Sequence, residues 1–410
     1  MIRYLTLAVF TAFLWIGSAS AQTAVTTPLT EGVIREPVTI LISIDGFRPD
    51  YLDRGITPHL SILAKNGAYG PMRPAFPTKT FPNHWTLVTG KRPDNHGIVG
   101  NTMVDPERPD EVFRMSTKDP FWWNQAEPIW ITAEEQGIRS ATMFWPGSEV
   151  DFDGKRPSDW WPFSQELSND RRISAVVDWM RRPTDIRPKF VTLYFDTVDM
   201  AGHFFGPASG DKLNATIKEV DDRIGDLVGE LAKLNQPANI IVTSDHGMAE
   251  TSPERIISLD TLMPREQYRL VTDGNYAGIE PLNGNYANLR NAFIKPHKNM
   301  ECWERENIPG HFQYGKNSRV PAIFCLPETG WVVFQDVPEW MTGIGGGHGY
   351  DHRHPDMTAF FLANGPYVKS AGEQPIFDSV NIYSMVAYLT GVTPNESEGS
   401  LDPFKQFLTP

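Results

Sequence analysis

The run Val38-Thr-Ile-Leu-Ile-Ser-Ile44 is apolar at almost every position and rich in β-branched residues, the pattern of a strand covered on both faces. Three further runs read the same way: Phe190–Phe195, Asn239–Ser244 and Thr358–Leu362. Between them the apolar period changes. From Asp211 to Leu234 the residues Leu213, Ile217, Val220, Ile224, Leu227, Val228 and Leu231 recur mostly at steps of three and four, which predicts one long amphipathic helix. A second helix is predicted over Val380–Leu389, closed by Gly391, and a short one over His84–Thr89. Strands alternating with helices predict an α/β fold, an open and mostly parallel sheet flanked by helices on both sides. Two stretches break the alternation. Residues 262–347, rich in Asn, Gly, Pro and aromatics, are expected to form an inserted capping region packed over the sheet edge. Residues 144–161, with Trp145, Trp160 and Trp161, are expected to wall a pocket.

Composition narrows the class. Of 410 residues, 40% are hydrophobic and 11% aromatic, which supports a large core and excludes intrinsic disorder. With 37 Lys+Arg against 50 Asp+Glu the formal net charge is −13, which excludes a general polyanion-binding surface and sequence-specific nucleic acid binding. At the N-terminus, Arg3, the apolar run Leu5–Ile16 and the small residues Ala19-Ser-Ala21 form an export signal, expected over residues 1–21 with the catalytic domain over 22–410. The run is too short to cross a bilayer core of ~30 Å, and no later segment is apolar enough, so no membrane span is expected in the mature chain. The chain is thus expected to be exported, to a periplasm or to the medium. Cys302 and Cys325 form either one disulfide or two buried thiols, and the lack of a CxxC motif excludes a thiolate zinc site.

In open α/β sheets ligands bind beyond the carboxyl ends of the strands. Three predicted strands run out at or just before an aspartate: Asp45, Asp199 and Asp245. His203 follows Asp199 by four residues, His246 follows Asp245 directly, and His348 precedes the fourth strand. Three carboxylates converging in one cleft cannot all ionise without cations. Mixed histidine and carboxylate ligands suit Zn²⁺, with Mn²⁺ or Fe as competitors. Thr78 and Thr80 lie just before the short predicted helix, where backbone N–H groups favour anions and a hydroxyl either caps the helix or serves as a nucleophile.

The segments Ile44-Asp-Gly-Phe-Arg-Pro-Asp-Tyr51, Thr78-Lys-Thr-Phe-Pro-Asn-His84, His96-Gly-Ile98, Ser244-Asp-His-Gly-Met248 and His348-Gly-Tyr-Asp351 resemble the nucleotide pyrophosphatase/phosphodiesterase family of the alkaline phosphatase superfamily. The resemblance runs from about residue 38 to 390 and includes Arg319-Val-Pro-Ala-Ile323 within the irregular segment. It implies an alkaline-phosphatase-like fold and two Zn²⁺ per chain, one held by Asp199, His203 and His348, the other by Asp45, Asp245, His246 and Thr80. It further implies that Thr80 is the nucleophile, transiently esterified by phosphorus, and that Asn101 and the Phe81 N–H hold a phosphate oxygen. Phe81 and Tyr194 match positions that sandwich a nucleobase in the family, with Phe113 and Phe163 as further candidates for the pocket. The implied activity is hydrolysis of nucleotide phosphodiester or pyrophosphate bonds to nucleoside monophosphates.

Some positions depart from the family pattern. His352 stands where the family often has Asn, and neither it nor His354 is expected to be a ligand; Asp196 is expected to be a strand-end residue. A sulfatase would need C/S-x-P-x-R, and Cys325-Leu-Pro-Glu-Thr329 lacks the Arg. The same two-zinc chemistry on choline phosphodiesters, phospholipid-derived diesters or phosphonates is the nearer alternative, differing only in the pocket.

Overall fold

A computed structural model describes residues 35–409 apart from 209, 283 and 340; the expected signal over 1–21 lies outside the described residues. The main sheet takes strands β1 (Val38–Ile44), β2 (Ala68–Arg73), β3 (Ser140–Met143), β4 (Asp159–Trp161), β5 (Phe190–Phe195), β6 (Ala238–Thr243) and β7 (Ala359–Asn364). Their spatial order is β2-β7-β6-β1-β5-β3-β4, and two short segments, Gly372–Glu373 and Phe377–Asp378, pair with β2. β1 lies at the centre, parallel to both neighbours, with Ile44 opposite Phe195 and Ser43 opposite Thr243. All seven of its residues are buried, as its unbroken apolar run requires.

Six helices matter for the site: α1 (Pro58–Lys65), α2 (Thr80–Thr89), α3 (Asn169–Met180), α4 (Thr197–Phe205), α5 (Asp211–Lys233) and α6 (Ile382–Thr390). The two faces of the sheet follow the strand period. Ile40, Ile42 and Ile44 pack with α1, α3 and α5 through Leu60, Val176, Ile217 and Ile224, while Leu41 and Phe361 pack on the other side with Trp85 of α2 and Met385 of α6. The stripe predicted over 211–234 is the buried face of α5 except for Val228, which is only partly buried at its margin.

The sheet is mostly parallel, as expected, with β7 running antiparallel to both β6 and β2. The structure departs from expectation in two places. The helix predicted over His84–Thr89 begins at Thr80, because Pro82 sits in the first turn, where a backbone N–H has no intrahelical partner to lose. Of the 144–161 aromatics, Trp145 is buried, whereas Trp160 and Trp161 are half-exposed on β4, the outermost strand.

Within residues 262–347 a four-stranded antiparallel sheet forms, in the order Tyr268–Thr272, Ala277–Pro281, Ile323–Pro327, Met300–Glu304. Cys302 and Cys325 face each other on its last two strands and are joined by a disulfide. This segment is stitched to the loop after α2. Arg319, fully buried, pairs with Asp105 at 2.6 Å and donates to the Gly97, Trp122 and Phe121 carbonyls. Tyr314 donates to the Val99 carbonyl at 2.9 Å, and Asp94 accepts from the backbone N–H groups of Gly315, Lys316 and Asn317.

Candidate active site

Asp45 follows β1, Asp245 and His246 follow β6, Asp199 and His203 lie one turn apart on α4, and His348 precedes β7. The reversed direction of β7 is what brings His348 in, since its beginning, not its end, lies at the carboxyl rim of the parallel strands. Gly46 lets α4 approach: a Cβ there would sit 3.0 Å from Asp199 Oδ1, and its φ of +67° suits glycine.

The six side chains converge. His203 Nε2 is 3.1 Å from His348 Nε2 and 3.4 Å from Asp199 Oδ2, and His348 Nε2 is 3.5 Å from Asp199 Oδ1. His246 Nε2 is 2.9 Å from Asp245 Oδ2 and 3.3 Å from Asp45 Oδ1, and Thr80 Oγ1 is 3.4 Å from the same nitrogen. The His246 and His348 rings stack at 3.5 Å, so the two groups adjoin. Each histidine has its Nδ1 committed to a backbone carbonyl: His203 to Gly346, His246 to Gly247 and His348 to Thr78. Such bonds fix the tautomer and turn Nε2 toward the cluster, the usual arrangement of metal-binding imidazoles.

Two metal-sized sets of donor atoms within 4.8 Å emerge from this packing: Asp199, His246 and His348, and Asp45, His84 and Asp245. His246 borders both sets. His84 differs from the other histidines because both its nitrogens are engaged, with Ser43 Oγ at 2.8 Å and the Thr80 carbonyl at 2.9 Å. We therefore read His84 as a support for Asp245, 3.4 Å away, and not as a ligand.

The donor set fits cations. Asp45 Oδ1, Asp199 Oδ1 and Asp245 Oδ2 are buried without a hydrogen-bond partner, a costly arrangement unless a positive charge sits among them. Burial, with the carboxylates of Asp245 and Asp199 nearby, pushes Asp45 well above the usual range. Burial opposes ionisation of Asp245 too, but His246 and His84 hold it well below that range. Burial and the neighbouring His246, Lys79 and His203 push His348 well down, leaving its imidazole neutral and able to bind a metal.

Thr80 opens α2 with only 8% of its surface exposed. The preceding loop is held by Asn83, whose amide donates to the Ala75, Pro77 and Lys79 carbonyls while its oxygen accepts from the Ala75 N–H. The Phe81 N–H donates to Asn101 Oδ1 at 2.9 Å, so the two groups expected to hold a phosphate oxygen are adjacent. Sequence reasoning passed over His84, although its spacing of four from Thr80 places both on one helix face. Thr78 gains a definite role only in the fold. Its carbonyl orients His348, and its hydroxyl accepts from the Gly349 N–H at 2.8 Å.

The four candidate aromatics separate. Phe81 is partly exposed beside Thr80, and Phe163 is 44% exposed with its ring 5.9 Å from that of Tyr194. Tyr194 is buried and its hydroxyl donates to Asp45 Oδ2 at 2.6 Å, which ties it to the carboxylate cluster. Phe113 is fully buried against Trp122 and Trp123, behind Phe81, so it backs that ring and lines no open surface. Asp196 accepts from the buried Arg172 at 2.7 Å, in keeping with a strand-end role. His354 Nδ1 accepts from the Asp356 N–H, and His352 lies in a separate cavity; neither belongs to the cluster.

The profile of the type I phosphodiesterase / nucleotide pyrophosphatase family matches residues 39–351. A bis(5'-adenosyl)-triphosphatase of Xenopus laevis is 36% identical over 91% of this chain and 82% of its own. The human ectonucleotide pyrophosphatase/phosphodiesterase family member 5 is 34% identical over 88% of this chain and 76% of its own. Among solved structures, murine ectonucleotide pyrophosphatase/phosphodiesterase 5, an inactive threonine-to-alanine variant in complex with AMP, superposes with a TM-score of 0.86 at 33% identity, covering 91% of this chain and all of that one.

Proposed function

The chain belongs to the type I phosphodiesterase / nucleotide pyrophosphatase family, hydrolases of alkaline-phosphatase-like fold, and from that premise we propose an exported two-zinc enzyme that releases nucleoside monophosphates through a phosphothreonine at Thr80. The observation that carries this reading is the set of three unpartnered carboxylate oxygens and three oriented imidazoles beside the Thr80 hydroxyl. Asp199, His203 and His348 would hold one zinc; Asp45, Asp245, His246 and Thr80 would hold the other. When bound, such ions lower the pKa of a coordinated hydroxyl and neutralise charge on the phosphoryl group.

The chain's own groups account for the rest. Thr80 Oγ1 attacks phosphorus, forming the Oγ1–P bond as the bond from phosphorus to the leaving oxygen breaks. The Asn101 NH₂ group, without a protein partner among the described residues, would hold a non-bridging oxygen, and the Phe81 N–H, which donates to Asn101 Oδ1, would be shared with that oxygen. Water then attacks phosphorus in line with Thr80 Oγ1, which leaves as the hydroxyl, so configuration at phosphorus is retained overall. Phe81 and Phe163 offer ring faces for the base, and stacking on rings tolerates any base. AMP bound to the murine relative supports a nucleotide substrate, and the loss of activity in its threonine variant supports a threonine nucleophile. Residues 262–347 serve as a cap that fixes the Asn101 loop through Arg319 and Tyr314. The Cys302–Cys325 disulfide supports an oxidising compartment, and no helix of the described residues is long and apolar enough to cross a membrane.

The test compares initial rates on an aryl nucleotide diester, a simple aryl phosphodiester and an aryl phosphomonoester, as purified, after chelation and after zinc is restored. The expected order is nucleotide diester fastest and monoester slowest, with activity lost to chelator and recovered with zinc. No zinc-dependent diester hydrolysis would overturn the reading.

A further inference from the structure

Away from the carboxylate–histidine cluster, a cavity of about 370 Å³ is lined by Arg73, Arg92, His311, His352, Arg353 and Asp378. Its charge runs against that of the acidic chain, three guanidiniums facing one carboxylate. Asp378 accepts from Arg73 at 2.8 Å through Oδ1 and from Arg92 at 3.1 Å through Oδ2, so one acid orients two cations at the wall. Arg92 also reaches Glu398 at 3.3 Å, while the guanidinium of Arg353 has no partner among the described residues.

His352 supplies the second, independent observation. It is 7% exposed, it lines the cavity, and its Nδ1 is buried with no hydrogen-bond partner. A buried nitrogen left unpaired is destabilising, and none of the hydrogen bonds that steady the active-site loop explains its presence. Burial pushes its pKa down to about 4, so the ring is neutral at pH 7 and offers one N–H donor.

We propose that this cavity binds the phosphate group of a small molecule, separately from the active site, through Arg73, Arg353 and His352. Guanidinium forks match phosphate oxygens in bidentate fashion, which a point charge does not. The volume lies in the range of small-ligand sites and leaves room for an organic body beyond the phosphate. None of Thr80, Asn101 or the six candidate metal-binding residues lines it.

The test is titration calorimetry of the full chain with inorganic phosphate and with AMP, in metal-loaded and chelator-treated protein. Chelator-treated protein is expected to keep one phosphate site, weakened about tenfold or more by Arg353→Gln and by His352→Asn, as loss of a charge-assisted contact implies, and unaffected by Thr80→Ala. Arg353 is exposed, so its variant should fold, and thermal melting checks this. If the chelated protein does not stay folded, affinity in the metal-loaded protein decides: Arg353→Gln should weaken one phosphate-binding event about tenfold and leave any active-site event unchanged. AMP tighter than phosphate identifies a phosphorylated organic ligand, and equal affinity identifies free phosphate; both uphold the site. No binding outside the active site, or binding unchanged in both variants, overturns it. Failure of the hydrolysis assay would leave this result standing, so the two readings fail separately.

Discussion

Replacing Tyr194 by Phe separates two roles for one side chain. The resemblance assigns its ring to the nucleobase, while the structure commits its hydroxyl to Asp45 Oδ2 at 2.6 Å inside the sheet. Tyr194→Phe keeps the ring and removes only that donor. Burial and the Asp45 charge push the Tyr194 hydroxyl well above its ordinary pKa, so it donates at any assay pH. A hydrogen bond to a charged group contributes about 1.5–3 kcal/mol, and loss of a group that orients a metal ligand lowers affinity about 10–100-fold. The variant is therefore expected to bind zinc about 10–100-fold more weakly, measured by competition with a chromogenic chelator. Its KM for a nucleotide diester at saturating zinc should stay within about twofold, because uniform binding by the ring is retained. Unchanged zinc affinity together with a several-fold rise in KM would refute the reasoning and return Tyr194 to direct substrate contact through its hydroxyl.

Thr80→Ala should lower kcat/KM on diesters by about 10³-fold or more, with Thr80→Ser recovering part of the loss; equal activity of the Ala variant would remove Thr80 as nucleophile. Asn101→Ala is expected to reduce kcat by about 10²–10³-fold with a small change in KM, as for a donor aimed at charge that develops in the transition state; stopped assays with saturating substrate check it. His96 is pushed down to about 3 by burial, with its Nδ1 accepting from the Ile98 N–H. The unfolded chain, with an ordinary value of about 6.5, then binds a proton that the folded one refuses. The stability tied to neutral His96 is complete above that pH and falls by up to about 1.4 kcal/mol per pH unit as pH drops toward 3. Urea unfolding of wild type and His96→Asn at about pH 7.5 and pH 5 should show a shallower loss in the variant; equal slopes would sink the assignment.

Much of the site is legible in the residues alone. The strands beneath it are continuous apolar runs that run out at or just before Asp45, Asp199 and Asp245, and a strand buried on both faces puts such charged residues beyond its end. What the sequence hid were facts of direction and of backbone. The sense of β7 does not change its composition, and the carbonyls of Gly346, Gly247 and Thr78 that orient three imidazoles have no side-chain signature. Tyr194 and Phe113 were recognisable as aromatics near the site, but which end of Tyr194 is polar-bound, and whether Phe113 reaches a surface, depend on packing with Asp45 and Trp122.

The reversal of β7 has an architectural consequence. Since β6 ends and β7 begins at the same rim, everything between them is a closed excursion whose two ends are already neighbours. The entropy of closing such an excursion grows only logarithmically, about 0.6 kcal/mol for each doubling of its length. The chain between His246 and His348 can thus lengthen, shorten or be exchanged while β6 and β7 stay in register, so long as Arg319 and Tyr314 still reach the loop after α2. The central sheet is in this way insulated from the part of the chain best placed to diversify.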